Sequence, residues 1–510
     1  MGDPSSSGSA ESRNDSLPTT KPPGILTSVI LTIAILPIIL FIALISVPVN
    51  LVMSLWHILS SPFVRKRLER LEIKNWNTSN KPSLDVSSQI LVVGGGIGGL
   101  SVAHFLLKCG YTNVRVFEKY KDCGRGRGGG HGLIAGSWCF RSMGMPDVYK
   151  ETVNPATEWK FDSGRSWLTW ALPFRWMHSN PFLPGLSYDL GNFVRSDFLQ
   201  YLSDALPDGV LHLDHELTEI EEQDDGKIVK VRFANGKEYS GSLVIGSDGS
   251  KSKVRSLIVH QPNDDRNEIV ALSKAAPLAP DPFYVDMNVW WCVTKLSDIP
   301  TMERTKWDNG PSRFYFEGMA IMQLVANDHL IINVDYRAPS LQWHHKNWKA
   351  NSTGADLLNF LKDWGAPPRF WPVARYASRV ARFAIPKGLG SEDAAVWHNS
   401  KNIVLLGDAI HPTPHFFGQG ANAAIQDAYC LVRCLRTLQP TEKGNLSEAF
   451  TEYVKIRKPP ADDIVSKSYL LGLTETAGGM SRLVRDLVFF AVLKTGLFVW
   501  AAVDINTVRV

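Results

Sequence analysis

The stretch from residue 90 to residue 118 constrains the fold more than any other. Ile90, Leu91, Val92 and Val93 form an unbroken aliphatic run, as a strand buried on both faces requires. The run passes directly into Gly94-x-Gly96-x-x-Gly99, after which Leu100, Val102, Ala103, Phe105, Leu106 and Leu107 recur on a helical repeat. Gly110 closes the helix, and Val114 to Phe117 form a second apolar strand ending at Glu118. The order strand, tight turn, helix, strand, acid is that of a dinucleotide-binding βαβ unit. Gly94 makes the turn, Gly96 lets a pyrophosphate approach the backbone, and Gly99 permits close helix–strand packing. The helix N-terminus offers unpaired N–H groups and a partial positive charge to that pyrophosphate. Glu118 stands about 20 residues on, where a carboxylate accepts ribose hydroxyls.

Two further strand ends repeat this grammar. Leu243, Val244 and Ile245 lead into Gly246-Ser247-Asp248-Gly249, and Ile403 to Leu406 lead into Gly407-Asp408. A proline-punctuated loop then reaches Gly418 and Gly420, and a helix begins near Ala421 and Asn422, again presenting its N-terminus through glycines. Residues 124–133 form a glycine-rich loop, Gly132 included, that permits close backbone approach to a ligand. Residues 193–202 read as a helix with Arg195 near its start. Residues 211–222 and 227–233 read as paired strands with an Asn235-Gly236 turn. Between 282 and 340 short apolar runs alternate with turns at 317–318 and 327–328, an antiparallel meander that implies a second structural region. Its Trp291, Phe314, Phe316, Met322 and Tyr336 are expected mostly to fill the core, with a few lining a pocket. A helix over 450–458 is expected to stop at Pro459-Pro460.

A chain of 510 residues with 44% hydrophobic content has room for two or three domains. The net charge of +4, with no basic cluster interleaved with aromatics, argues against a nucleic-acid reader. The six cysteines show no metal-ligand pattern, so no metal site is expected, and they fit reduced thiols in a cytosol-facing domain. Residues 1–23 have the composition of a disordered segment. From 22 to 64 there is no charged residue, and 25–47 is long enough to cross a hydrocarbon core of about 30 Å, Pro37 being tolerable there. The basic residues Arg65, Lys66, Arg67 and Arg70 follow this stretch instead of preceding it. That order argues for a single-pass anchor over a signal peptide, with the N-terminus lumenal and the remainder cytosolic. Residues 49–64 suit either an interfacial helix or the return leg of a hairpin, and 71–87 a flexible linker. The apolar tail at 483–503 suits a buried terminal helix or a second membrane contact, Lys494 opposing a simple span.

Taken together, Gly94-x-Gly96-x-x-Gly99 with Glu118, Asp248-Gly249 and Gly407-Asp408 resemble the motifs of the single-component FAD-dependent monooxygenases of the para-hydroxybenzoate and salicylate hydroxylase type, over about residues 88–470. The resemblance implies an α/β fold: a Rossmann-like FAD-binding domain (88–260 and 391–470, the first part with substrate-side segments) and an inserted antiparallel β-sheet substrate domain (261–390). The transmembrane helix (24–47) and a segment at 48–87 would precede them, and an apolar helical region (471–510) would follow. It implies that Gly94, Gly96, Gly99 and Glu118 hold the ADP half of FAD, that Arg195 reaches the phosphate region, and that Asp248 and Gly249 serve FAD and NAD(P)H. It places Asp408 on the ribityl chain, with Pro412 and Gly418, Gly420, Ala421 and Asn422 behind the flavin ring. When bound, the flavin takes electrons from NAD(P)H and transfers one atom of O2 to the substrate. No catalytic base is identified; His131, His411 and His415 lie close in sequence and read as loop hydrogen-bonders. By analogy with membrane-anchored relatives of eukaryotic natural-product pathways, the expected setting is secondary metabolism on the endoplasmic reticulum, with a lipophilic aromatic, indole or terpenoid substrate. The rival readings are a flavin reductase of the same fold acting on an isoprenoid double bond, and a non-enzymatic membrane protein that kept a nucleotide fold.

Overall fold

The computed structural model describes residues 66–76, 82–123, 130–133, 135–155, 158–162, 170–173, 191–224, 227–259, 270–271, 283–304, 312–337, 352–389, 396–437 and 446–479, with scattered single residues outside these ranges. The expected membrane span at 25–47, most of 49–64 and most of the apolar tail lie outside the described residues. Among the described residues no helix is long and apolar enough to cross a membrane.

Five short strands, β1 (Ile90–Val93), β2 (Val114–Phe117), β3 (Leu211–His212), β4 (Leu243–Gly246) and β5 (Ile403–Leu405), form a sheet in the order β5-β4-β1-β2-β3. All its pairings are parallel. Every residue of β1, β4 and β5 is buried, because helices cover the faces of a parallel sheet. The register decides what happens at its edge. Val93 pairs with Phe117 and Gly246, and Gly246 pairs with Leu405. The strands therefore end level, and the turns beginning at Gly94, Glu118, Ser247 and Leu406 lie side by side at one carboxyl edge.

Helix α1 (Ile97–Lys108) leaves that edge directly after β1. A Cβ on Gly99 would stand 1.9 Å from the Gly94 carbonyl oxygen, and one on Gly94, whose φ is +109°, would stand 2.4 Å from that of Ser247. Helix, turn and neighbouring strand end are in backbone contact, and only glycine permits it. Around Gly96, in contrast, a Cβ meets nothing within 4 Å.

The second layer is a seven-stranded sheet in the order Arg379–Gly388, Phe283–Lys295, His329–Arg337, Met319–Ala326, Ser312–Tyr315, Glu158–Asp162, Trp170–Pro173. Its pairings are antiparallel except that of Ser312–Tyr315 with Glu158–Asp162. Phe314 and Tyr336 fill its core with Phe370 and Leu361. The strands Glu158–Asp162 and Trp170–Pro173, which precede the meander by more than a hundred residues, thus extend the same sheet.

Three local expectations change. Gly191–Val194 is a strand, and helix α2 (Arg195–Asp204) begins only at Arg195, because Phe193 and Val194 pair with His131 and Gly130. Leu211–His212 joins the parallel sheet while Leu217–Gln223 pairs with Ile228–Phe233, the break between them marked by Asp214 at φ +60°. The helix expected to stop at Pro459-Pro460 runs on, as α4 (Ser447–Glu475) beyond α3 (Gly420–Thr437). Tertiary contacts on both sides of the prolines hold it: Arg457 is bound to Asp427 before them, and the Ser468 hydroxyl donates to the Pro414 carbonyl after them.

Gly99→Ala is expected to destabilise the ligand-free protein by about 1–3 kcal/mol, since the added methyl must displace backbone. Gly96→Ala should leave its melting temperature within a degree or so. Thermal melting of the two variants checks the contrast.

Candidate functional site

Two cavities open along the carboxyl edge. One, of about 240 Å³, is lined by Gly94, Gly96, Glu118, Arg195, Asp248 and Gly249 among others. The other, of about 320 Å³, runs past Gly96, Arg195, Gly249, Asp408, Gly418, Gly420 and Ala421 to the large sheet. They share Gly96, Arg195, Ser247 and Gly249, so they form one elongated trough with an acid at each end. Its waist carries a helix N-terminus, an open glycine and an arginine, the requirements of a pyrophosphate.

At one end Glu118 accepts the Gly95 N–H at 2.8 Å through Oε2 and the Tyr120 N–H at 3.1 Å through Oε1. These bonds aim the carboxylate into the trough and leave lone pairs for ribose hydroxyls. Asp248 is more committed. Its Oδ1 accepts the Ser252 hydroxyl at 2.5 Å, and its Oδ2 accepts the N–H groups of Lys253 and Val254 at 2.7 and 3.3 Å. It caps the following helix while lining the trough. Burial raises its carboxyl above the usual range, against the pull of those donors. Gly249 has φ +84° and carries the turn away from the trough.

At the other end Asp408 is exposed only into the cleft, with protein packed around it. Burial raises its carboxyl; His411, Arg195 and the Thr413 N–H oppose that rise. Gly418 (φ +65°) turns the chain so that Gly420 and Ala421 begin α3 facing the cavity. Asn422 serves the frame instead of the ligand, since its Oδ1 accepts the Gly136 N–H at 2.9 Å and ties α3 to the helix at Ala135–Ser142. Gly132 lies in the Gly130–Leu133 strand opposite Asn192, as His131 lies opposite Phe193; residues 124–129 are outside the described residues.

Behind Asp408 lies a buried cluster that the motifs did not reveal. Asp427, on α3, accepts the Gly407 N–H at 2.9 Å and His411 Nε2 at 2.5 Å through Oδ2, and Arg457 Nε at 2.7 Å through Oδ1. Burial alone would raise the Asp427 carboxyl, but His411 and Arg457 together hold it at about 2. Burial pushes His411 down and Asp427 outweighs it, so the imidazole sits above its ordinary value. His411 is therefore committed to the frame of the loop. The buried Arg255 adds a brace, its Nη1 donating to the Ala409 carbonyl at 2.6 Å and Nη2 to that of Ser250 at 2.9 Å. It joins the second and third motifs. Nothing in the periodicity of α3 or α4 singles out Asp427 or Arg457, because their function lies in burial and pairing.

Residues 390–468 match the family described as "FAD binding domain". The glycine trough with Arg195 at its waist fits that cofactor. The chain is 25% identical to a salicylate hydroxylase of Pseudomonas putida over 397 residues, covering 75% of this chain and 83% of the relative. It is an FAD-dependent monooxygenase. The FAD-dependent monooxygenase paxM of Penicillium paxilli is 26% identical over 367 residues, 69% of the enzyme described here and 70% of its own length. The fold of this monooxygenase superposes on that of Klebsiella pneumoniae HpxO complexed with FAD and uric acid, with a TM-score of 0.63 at 19% identity, covering 82% of this chain and 96% of the other. In this monooxygenase the parallel sheet carries the trough, and residues of the seven-stranded sheet form the wall facing it.

The Asp427 cluster sets a pH window for stability. Asp427, held at about 2 against an ordinary 3.8, contributes stability above pH 4 that is lost as pH falls toward 2. His411, raised above 6.5, contributes stability below that pH that is lost as pH rises through its raised value. Asp427→Asn should cost about 3–5 kcal/mol by leaving Arg457 buried without its partner. Melting curves across pH 3–8 should show that the variant lacks both slopes.

Proposed function

We propose that this monooxygenase uses NAD(P)H and O2 to hydroxylate or epoxidise a lipophilic aromatic, indole or terpenoid substrate in secondary metabolism, held to a membrane by residues 25–47 with its catalytic part in the cytosol at the endoplasmic reticulum. One observation carries the chemical part. The trough ends against a wall made of Trp291, Phe383, Ala384 and Pro386, so the compartment next to Asp408 and Gly418 is apolar and aromatic on its far side. Such a wall suits a planar or greasy substrate and excludes water. The anchor rests on the charge-free stretch from 22 to 64 and the basic residues at 65–70.

Bound FAD supplies the electron transfer and the activation of oxygen. Glu118 holds the ribose end, and Arg195 with the N-terminus of α1 neutralises the pyrophosphate. Asp408 fixes the sugar-alcohol chain. The N-terminus of α3, reached through Gly418 and Gly420, would place partial positive charge beside the flavin ring. The aromatic wall keeps the substrate within reach and keeps solvent out.

The purified protein should be yellow, carry one non-covalent FAD and consume oxygen in an NADPH-dependent reaction; an oxygen electrode and a flavin titration decide this. Gly96→Val should abolish flavin binding, because the side chain fills the open space at the waist. Asp408→Ala should weaken FAD binding about tenfold or more, at one lost charge-assisted hydrogen bond, and uncouple NADPH oxidation from product formation. Normal affinity with normal coupling would reduce Asp408 to a turn residue.

Removing residues 1–64 should release a soluble, flavin-containing protein from the membrane fraction. Protease treatment of intact vesicles should digest the catalytic part of the full chain. Protection of that part would reverse the orientation.

A further inference from the structure

The wall facing the flavin side carries one ionisable group that cofactor binding does not use. Trp291, Phe383, Ala384 and Pro386 have none, and His415 stands beside them in the same cavity. Its Nε2 lies 2.7 Å from Asp335 Oδ1, in a pair whose side chains are 10% and 2% exposed. Asp335 sits in the middle of the seven-stranded sheet, opposite Ala320 on one side and Val289 on the other. A carboxylate in such a place is costly unless it serves a partner.

The ring of His415 is fixed on every side. It stacks on Phe416 at 4.8 Å between centroids and meets Trp291 edge-on at 6.5 Å. Its own carbonyl accepts the Gly418 N–H at 2.7 Å, and Arg313 donates to the carbonyl of Phe416. With Nε2–H given to Asp335, the tautomer is set and Nδ1 is left as a base; Nδ1 takes no hydrogen bond among the described residues. The arrangement differs from that of His411, whose Nε2 is locked into the Asp427 cluster behind the loop. Four other charged or titratable groups bear on the pair. They are Asp408 on the same loop, Arg313 two strands away in the sheet, Glu475 at the end of α4 and Tyr315 beside it. Glu475 interacts electrostatically with both Asp335 and His415, and burial pushes it up to about 7 against the pull of Arg313.

We propose that His415, oriented by Asp335, is a general base that takes the proton from a phenolic or enolic hydroxyl of the substrate. The proposal rests on the monooxygenase reading and narrows its substrate to one bearing such a hydroxyl. The O–H bond breaks, its electron pair stays on the substrate oxygen, and the proton passes to Nδ1. Asp335 then neutralises the imidazolium. The resulting anion pushes electron density onto the ring carbon that receives oxygen. Return of the proton from Nδ1 to the product oxygen restores the neutral histidine.

The test uses FAD-loaded full-length protein, without NADPH, and 4-nitrophenol as probe, whose ionised form absorbs near the violet edge of the visible spectrum. Difference spectra across pH 5–8 give the pKa of the bound probe. In the wild type it should lie lower than in His415→Asn by about one unit or more. Asp335→Asn should bind the probe and lose most of that shift. His415→Gln, which keeps a donor for Asp335, should retain FAD and the melting temperature while losing the shift, an outcome that a merely structural histidine would not give. Equal probe pKa in wild type and His415→Gln would overturn the proposal, as would failure of the wild type to bind the probe saturably. NADPH-dependent oxygen uptake by the same preparation separates the two levels. Uptake with an unshifted probe removes only the base, whereas absence of uptake removes the monooxygenase reading and the base together.

Discussion

The contact between Asp427 and Arg457 is the point on which the trough side of the molecule turns. Both side chains are wholly buried, and neither is tolerable there alone. With His411 and the Gly407 N–H they use the carboxylate's acceptor positions on both oxygens. That one cluster sets the path of the chain after β5, the seat of α3 and the approach of α4. Asp408 projects into the trough because the residue before it and the residue three after it are bound to the same carboxylate. An acid that lines the trough is thus aimed by a second acid buried behind it.

The trough follows from the same economy of position. Parallel strands of matched register end together, so three turns far apart in sequence become neighbours at a single edge. Gly94 and Gly99 are consumed in bringing backbone against backbone, and Gly96 is left with empty space before it. Three glycines in one short run therefore serve two purposes: two make the wall and one makes the opening. Arg195 enters from the start of a helix in another part of the chain and closes the waist from the far side.

Much of this was legible in the sequence where local rules govern. The βαβ unit, the buried strand at 243–246 and the meander at 283–337 announce themselves through unbroken apolar runs and turn residues, and the strand ends carry the acids that line the trough. The rest is written in tertiary contact. Asp248 reads as a ligand-side acid, yet three donors from its own turn and helix already occupy it. Asn422 reads as part of the ring's backing, yet its carbonyl is spent on Gly136. Nothing in the alternation over 329–337 singles out Asp335, and only the folded sheet brings it to His415. Pro459-Pro460 reads as a stop, and contacts on both flanks carry the helix through.

That uninterrupted helix has a mechanical consequence. Arg457 and Glu475 are 18 residues apart on α4, about 27 Å of axial rise. One is bonded to Asp427 on α3, the other to Arg313 on a strand of the opposing sheet. The helix is therefore a spacer of fixed length between the two walls of the cleft, pinned on both sides of its paired prolines. The separation of the two walls is therefore set in part by a helix that runs behind the cleft.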